Sequence, residues 1–278
     1  MGNRPAVNEP GQSPGVFVLL PVLNEKQNID AVLNRIEATL SYLPHTIGIL
    51  DDGSLDGTVE YLQERVKNAG SSLHLICRRK AHRGSQRGSA LRLLMIWGLE
   101  NTGHEVFVEM DADLSHRPEE MLEGIRLVAQ NQNDVAIASK YLPESRVINR
   151  PWVRRLVSRV CSVAVGVFIS PGIVDYSNGF RFYRRSAAAA AAGYVYRYGS
   201  PIYLTEILSM WLRDRLRIVE FPTCYVGRNE GISKLRILDL VKAAIAVMEI
   251  SVRYHFLGFK LVAADQQVEC QHSRAAGQ

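Results

Sequence analysis

Short apolar runs and helical stripes alternate along the first half of the chain. Val16 to Leu20 is an unbroken apolar run that stops at Pro21, the pattern of a buried strand. From Asn28 to Leu40, the residues Ile29, Val32, Leu33, Ile36 and Leu40 recur at helical spacing. Thr46 to Leu50 is a second apolar run, ending at Asp51, and Thr58 to Asn68 reads as a helix with Asp56 at its N-cap. Leu73 to Cys77 is a third strand, Ser85 to Leu99 a helix, and Val106 to Met110 a fourth strand ending at Asp111. Pro118 to Gln130 is helical, with proline in its first turn, and Val135 to Ala138 is a fifth strand. Strands alternating with helices predict an α/β fold, a mostly parallel sheet flanked by helices on both faces. In such sheets ligands bind beyond the carboxyl ends of the strands. Asn24 and Glu25, Asp51 and Asp52, and Asp111 and Asp113 all fall at those ends.

The C-terminal part follows a different pattern. From Ile237 to Arg253, Asp239, Lys242, Ala246, Glu249 and Arg253 form one narrow stripe, and apolar residues occupy the rest of the helix. That suits a helix lying in a membrane interface or docked on the core, and the pattern leaves both open. Tyr254, Phe256, Leu257 and Phe259 extend the apolar material, and Lys260 can snorkel. The organisation expected is a flexible tail over 1–15, a catalytic-size domain over 16–235, an amphipathic helix over 236–262 and a polar tail over 263–278. Ala187 to Ala192 reads as a helix segment. Residues 1–15 hold no apolar signal core, and no uncharged apolar run reaches the roughly 18 residues of a membrane span.

Composition narrows the classes. The 278 residues are 47% hydrophobic and 22% charged, which excludes a largely disordered or fibrous chain. The net charge is +5, and Arg outnumbers Lys by 26 to 7. Arginine forks match phosphate oxygens, so phosphorylated ligands or anionic lipid heads are the expected partners. No basic motif interleaved with aromatics speaks for nucleic acid. Cys77, Cys161, Cys224 and Cys270 lie far apart, which argues against a zinc site or a disulfide scaffold and fits a reducing compartment.

Asp111-Ala112-Asp113 places two carboxylates at a strand end, where they can converge on a hard divalent cation such as magnesium or manganese. Capping of the following helix is the plainer alternative. Asp51-Asp52-Gly53-Ser54 can serve both as a turn and as an acceptor for a base or ribose. Two adjacent acids repel, so a cation or donor is expected beside them. Lys140, Arg146, Arg150, Arg154, Arg155 and Arg159 form a basic stretch, either a solvated face or a phosphate site. No GxGxxG follows the first strand, which speaks against a dinucleotide dehydrogenase.

In combination, Leu20-Pro21-Val22-Leu23-Asn24-Glu25, Asp51-Asp52-Gly53-Ser54 with Asp56-Gly57-Thr58, and Asp111-Ala112-Asp113-Leu114-Ser115-His116 with Pro118 resemble the family 2 glycosyltransferases of GT-A fold. Within that family the resemblance is to the dolichol-phosphate (polyprenol-phosphate) mannosyltransferases, and it runs from about Val16 to about Leu240. It implies a Rossmann-like nucleotide-sugar-binding fold. It implies that Pro21, Leu23 and Glu25 line the nucleotide pocket, that Leu50 and Asp52 contact the nucleoside, and that Asp111 and Ala112 sit beside the nucleotide. Asp113 would be the principal metal ligand and Asp111 the second, for Mg2+ or Mn2+. Arg228 and Lys234, in a Gly-x-Ser-Lys-Leu loop, would clamp the donor diphosphate. Lys140, Arg154 and Ser158 would contact the acceptor phosphate. The segment Asp175 to Arg184 also matches, and its alternation reads as a half-buried strand. Glu206 reads as a solvated helix position, with a sugar contact as the alternative.

The reaction implied is an inverting transfer of mannose from GDP-mannose to a polyprenyl (dolichyl-type) phosphate. Alternatives are a related enzyme using UDP-glucose or a UDP-aminosugar, and a non-catalytic nucleotide-binding module. The subgroup also implies peripheral association with the cytoplasmic face of a membrane and a possible small membrane partner subunit.

Overall fold

The computed structural model describes residues 13–78, 87–130, 133–150, 152–198, 202–227 and 237–258. The expected apolar runs are strands: β1 (Val16–Val22), β2 (His45–Asp51), β3 (Leu73–Cys77), β4 (Val106–Glu109) and β5 (Val135–Ser139). Between them lie α1 (Ile29–Thr39), α2 (Thr58–Ala69), α3 (Arg87–Asn101) and α4 (Met121–Ala129). Pro118 opens a single 3-10 turn that leads into α4. Then follow β6 (Arg146–Ile148), α5 (Trp152–Phe168), β7 (Arg181–Arg184), α6 (Arg185–Ala192), α7 (Tyr203–Arg213), β8 (Ile218–Pro222), β9 (Cys224–Val226) and α8 (Ile237–Val252). The alanine run is α6.

The main sheet has the order β3-β2-β1-β4-β7-β5-β8, and β7 alone runs antiparallel to its neighbours. Strand order reverses beside β1, between β2 and β4, so a crevice opens at the carboxyl ends of those strands. Alternation divides β1 between two cores. Val16, Val18, Leu20 and Val22 meet α1, α2 and α4, while Phe17 and Leu19 meet α3, α6 and α7. At Gly98 the helix α3 crosses close over β1, where a Cβ would stand 2.6 Å from the Phe17 ring.

Two expectations are corrected. The segment Arg181–Arg184 is buried on both faces instead of half-buried, because it fills the gap between β4 and β5. Arg181 is wholly buried and donates to the carbonyls of Asn178 (2.8 Å), Leu204 (2.9 Å) and Tyr176 (3.2 Å). Glu206 is also fully buried, not solvated. It accepts from the Arg197 and Tyr198 amides and from Arg253 Nη1 at 2.6 Å.

That last bond sets how α8 lies. The C-terminal part of its stripe faces inward: Ala246 is buried, Glu249 accepts from Arg197 and from the Tyr198 hydroxyl (2.8 Å), and Arg253 reaches Glu206, whereas Lys242 is exposed. The outward side carries Ile245, Met248 and Val252, followed by Phe256 (79% exposed) and Leu257 (75%). α5 likewise exposes Trp152, Leu156, Val160, Val163 and Val167 at helical spacing. The carbonyl of Phe168, at the end of α5, accepts from Ser251 Oγ (3.0 Å) and pairs with His255 Nε2 (2.8 Å), which brings the two apolar strips side by side. No helix among the described residues is long and apolar enough to cross a membrane. The tails over 1–12 and 259–278 lie outside the described residues.

Replacing Arg253 by Ala leaves the buried Glu206 without its ion-pair partner and is expected to cost about 3 kcal/mol. Urea unfolding checks this, and a wild-type midpoint would refute the tie.

Candidate active site

The rim at the carboxyl ends of β1 and β2 is held by hydrogen bonds between neighbouring loops. The Asn24 amide donates to Ser54 Oγ (2.8 Å), Asn24 Oδ1 accepts from the Leu55 amide (2.9 Å), and the Glu25 amide donates to Thr58 Oγ1 (3.1 Å). The N-cap of α2 is Gly57 (φ 90°), not Asp56 as expected; Asp56, one residue earlier, accepts from the Thr58 amide (3.1 Å) and the Lys26 amide (3.1 Å), and so ties the start of α2 to the entry of α1. Asn24, in the loop after β1, has φ 56°, and Leu114, in the loop after β4, has φ 60°, left-handed conformations that side chains rarely adopt.

The two acids after β2 have different duties. Asp51 Oδ1 accepts from the amides of Gly53 and Ser54, both at 2.8 Å, and Oδ2 takes the Ser54 hydroxyl. Asp51 is therefore the organiser of the turn. Asp52 meets Arg78, whose Nη2 lies 2.5 Å from Oδ1 and whose Nη1 donates to Ser89 Oγ at 2.6 Å. Arg78 is the cation that the adjacent acids require, and it follows β3 directly.

After β4, Asp111 stands between Arg87, which pairs with Oδ1, and His116 Nε2, 3.1 Å from Oδ2. His116 is buried, and burial drives its pKa down to about 3, against the pull of Asp113. The neutral ring therefore donates through Nε2, and its buried Nδ1, which has no partner among the described residues, is the unprotonated nitrogen. Asp113 Oδ1 accepts from the Ser115 amide at 3.0 Å. Asp111 and Asp113 are half-buried, as are Pro21, Leu23 and Glu25, while Ala112 is buried. The Leu50 side chain points into the core with no exposure, so only its backbone can meet a nucleoside.

A second polar pocket forms beyond β5. Lys140 Nζ lies 3.3 Å from Ser177 Oγ and 3.5 Å from Asp175 Oδ2, with the side chain almost wholly buried. Burial pushes the Lys140 ammonium below its ordinary pKa while Asp175 pulls it back up. Burial would raise Asp175, but Lys140 and the amides of Lys140 and Ser177 hold that carboxyl below its usual range. Ser158 accepts from the Tyr141 hydroxyl at 2.6 Å and sits 3.4 Å from Ser177 Oγ. Lys140 and Ser158 are thus brought together through Ser177. Arg154 belongs to α5, and its side chain lies outside the described residues, as do Arg228 and Lys234 entirely.

Tyr225 joins the two pockets. Its ring takes His116 edge-on at 5.6 Å, and Lys140 Nζ and the Arg150 guanidinium lie 5.3 and 5.5 Å from its centre. Sequence reasoning did not single out Arg78, Arg87, Tyr203 or Tyr225. Only Arg78 carried a signal, as a cation directly after an apolar strand.

With this geometry in view, the profile of the family described as Glycosyl transferase family 2 matches residues 17–190. The chain belongs to glycosyl transferase family 2. Among its family 2 relatives, a polyprenol monophosphomannose synthase of Mycolicibacterium smegmatis is 31% identical over 91% of this chain and 92% of its own. A dolichol-phosphate mannosyltransferase of Pyrococcus furiosus is 30% identical over 80% of this chain, which spans 59% of that longer protein. An undecaprenyl-phosphate mannosyltransferase of Micrococcus luteus is 28% identical over 79% of this chain and 87% of its own. A solved glucosyl-3-phosphoglycerate synthase of Mycobacterium tuberculosis, in complex with Mn2+ and uridine diphosphate, superposes with a TM-score of 0.58 at 18% identity over 90% of this chain and 86% of that one. That likeness establishes the shared fold, and the expected family 2 glycosyltransferase fold is the one found.

Asp51→Ala removes three accepted hydrogen bonds from the turn and should cost about 1–3 kcal/mol, whereas Asp51→Asn keeps an acceptor and recovers much of it. Urea midpoints of the three proteins measure this. Equal midpoints for Ala and wild type would strip Asp51 of the role.

Proposed function

We propose that this glycosyltransferase moves mannose from GDP-mannose to the phosphate of a polyprenyl phosphate at a membrane surface. The observation that carries the reading is the pairing of two pockets across Tyr225, an acidic rim on one side and a buried lysine on the other. The names of the three relatives, all polyprenyl- or dolichyl-phosphate mannose enzymes, support the same choice.

The donor would lie over the β1, β2 and β4 rim, beside Pro21, Leu23, Glu25, Asp52, Asp111 and Ala112. The carboxylates there are hard oxygen donors that fit Mg2+ or Mn2+. Among the described residues no group of three or more His, Cys, Asp or Glu side chains gathers to hold a metal. The rest of the shell would therefore come from diphosphate and water, the usual habit of magnesium. Asp113 foremost, and Asp111, would hold the ion. Once bound, it neutralises the charge that develops on the departing diphosphate. Arg228 and Lys234 would add to that neutralisation.

The acceptor phosphate would enter beside Lys140, Ser158 and Arg154. A phosphate monoester is already anionic near neutral pH, so one of its oxygens can attack the anomeric carbon without a strong general base. The new carbon–oxygen bond forms as the bond to the diphosphate breaks, GDP leaves, and the centre inverts. Lys140 and Arg150 reduce repulsion between the two phosphorylated substrates.

The outward apolar faces of α5 and α8, bordered by exposed Arg155 and Arg159, suit a bilayer surface holding the lipid. Turning Glu249 and Arg253 of α8 into the protein leaves Ile245, Met248 and Val252 for the membrane.

The test is to offer purified protein GDP-mannose, UDP-glucose and a UDP-aminosugar with a short polyprenyl phosphate and Mn2+, and to weigh the lipid product. Mannosyl phosphopolyprenol is expected, and it should vanish with Asp113→Ala. No glycolipid from any donor would overturn the reading. Lys140→Gln should raise the KM for the lipid at least ten-fold with little change in the KM for GDP-mannose. An equal rise in both would move Lys140 out of the acceptor site. Serine in place of Ile245, Met248, Phe256 and Leu257 together should release the protein from anionic vesicles, and unchanged flotation would refute the membrane face.

A further inference from the structure

Arg87 opens α3, and its guanidinium is held from three sides. Nε donates to the Tyr203 hydroxyl at 2.7 Å, Nη2 to Glu109 Oε1 at 3.0 Å, and Nη1 pairs with Asp111 Oδ1. Glu109 is inaccessible to solvent and also takes the hydroxyls of Tyr183 and Tyr203. Gly179 leaves the room, since a Cβ there would come within 2.7 Å of Nη2. Glu109 and Tyr203 thus fix the cation in place, and Asp111, two residues beyond Glu109, meets a countercharge that is already anchored.

We propose that Arg87 is a positioning residue that engages Asp111 and keeps it from gripping a divalent cation until the diphosphate arrives. The inference rests on the metal-assisted reading above. A free ion competing for Asp111 meets a fixed positive charge and is left with Asp113 and water. A nucleotide diphosphate brings both negative charge and further oxygen ligands, so metal and nucleotide bind as a unit. Metal uptake is thereby coupled to the donor.

Calorimetry with Mn2+ alone, without nucleotide or turnover, tests this. The protein with Glu109→Gln is compared with Arg87→Met/Glu109→Gln, which avoids stranding a buried charge. The double variant should bind Mn2+ at least ten-fold more tightly, and adding Asp111→Asn should abolish that gain. Should the double variant not fold, Arg87→Gln, whose amide can still bond Glu109 and Tyr203, carries the same comparison against wild type. Unchanged or weaker Mn2+ binding in the folded variant overturns the proposal. If wild type takes up no Mn2+ even with saturating GDP, the metal reading itself has failed, and this inference with it.

Discussion

A carboxylate removed from water needs donors, and Glu109 draws them from three other elements. Arg87 comes from α3, Tyr183 from β7 and Tyr203 from α7, while Glu109 itself ends β4. Leaving such a charge unpaired would be strongly destabilising, so the four elements are obliged to meet at one point. That point lies two residues before Asp111. The position of the acidic rim is therefore set by the interior, and the loop after β4 inherits its aim from a buried ion pair. The left-handed Leu114 and the Ser115 amide on Asp113 complete the loop locally.

The first five strands and the helices between them were legible because each strand is a short apolar run, and α1, α2 and α4 are periodic, with one apolar face each. Those patterns report burial, and burial here follows the sheet. The antiparallel insertion of β7 was not legible. Its alternation of Phe180 and Phe182 with Arg181 and Tyr183 looks like a strand with one wet face. In fact the polar residues are buried and satisfied, Arg181 by three carbonyls and Tyr183 by Glu109. Glu206 misled for the same reason, since a charge on a helix looks solvated until a partner 47 positions away is folded against it. The acids of the rim were readable from position at strand ends. Of their partners only Arg78, directly after an apolar strand, was readable: Arg87 sits within a helical pattern, and the tyrosine Tyr203 lies 94 residues from Glu109.

The orientation of α8 shows the same limit from the other side. A wide apolar face with a thin polar stripe describes a helix docked on a core equally well as one lying on lipid. Specific pairs decide it. Glu249 with Arg197 and Tyr198, and Arg253 with Glu206, turn the C-terminal part of the stripe inward, and Ile245, Met248 and Val252 are left outside. α7 then links α8 to the site, because Glu206 and Tyr203 lie one turn apart on it, one bonded to Arg253 just after α8 and the other to the Arg87–Glu109 pair.

Lys140, in the acceptor site proposed above, extends this logic. Its ammonium is nearly dry, yet Asp175 and Ser177 keep it bonded, and Asp175 is itself fastened by the amides of Lys140, Ser177 and Asn178. A lysine has three donors on a rotating head, so one can pass from Ser177 to an incoming phosphate oxygen while the contact with Asp175 persists. A guanidinium fork would have to turn as a plane and break more than one bond to do the same. Because the Lys140–Asp175 pair is neutral as a unit, it attracts a dianion only weakly by itself. On the proposed reading, the stronger pull on the acceptor would come from other cations, such as Arg150 over the same Tyr225 ring, with Lys140 acting at closest range.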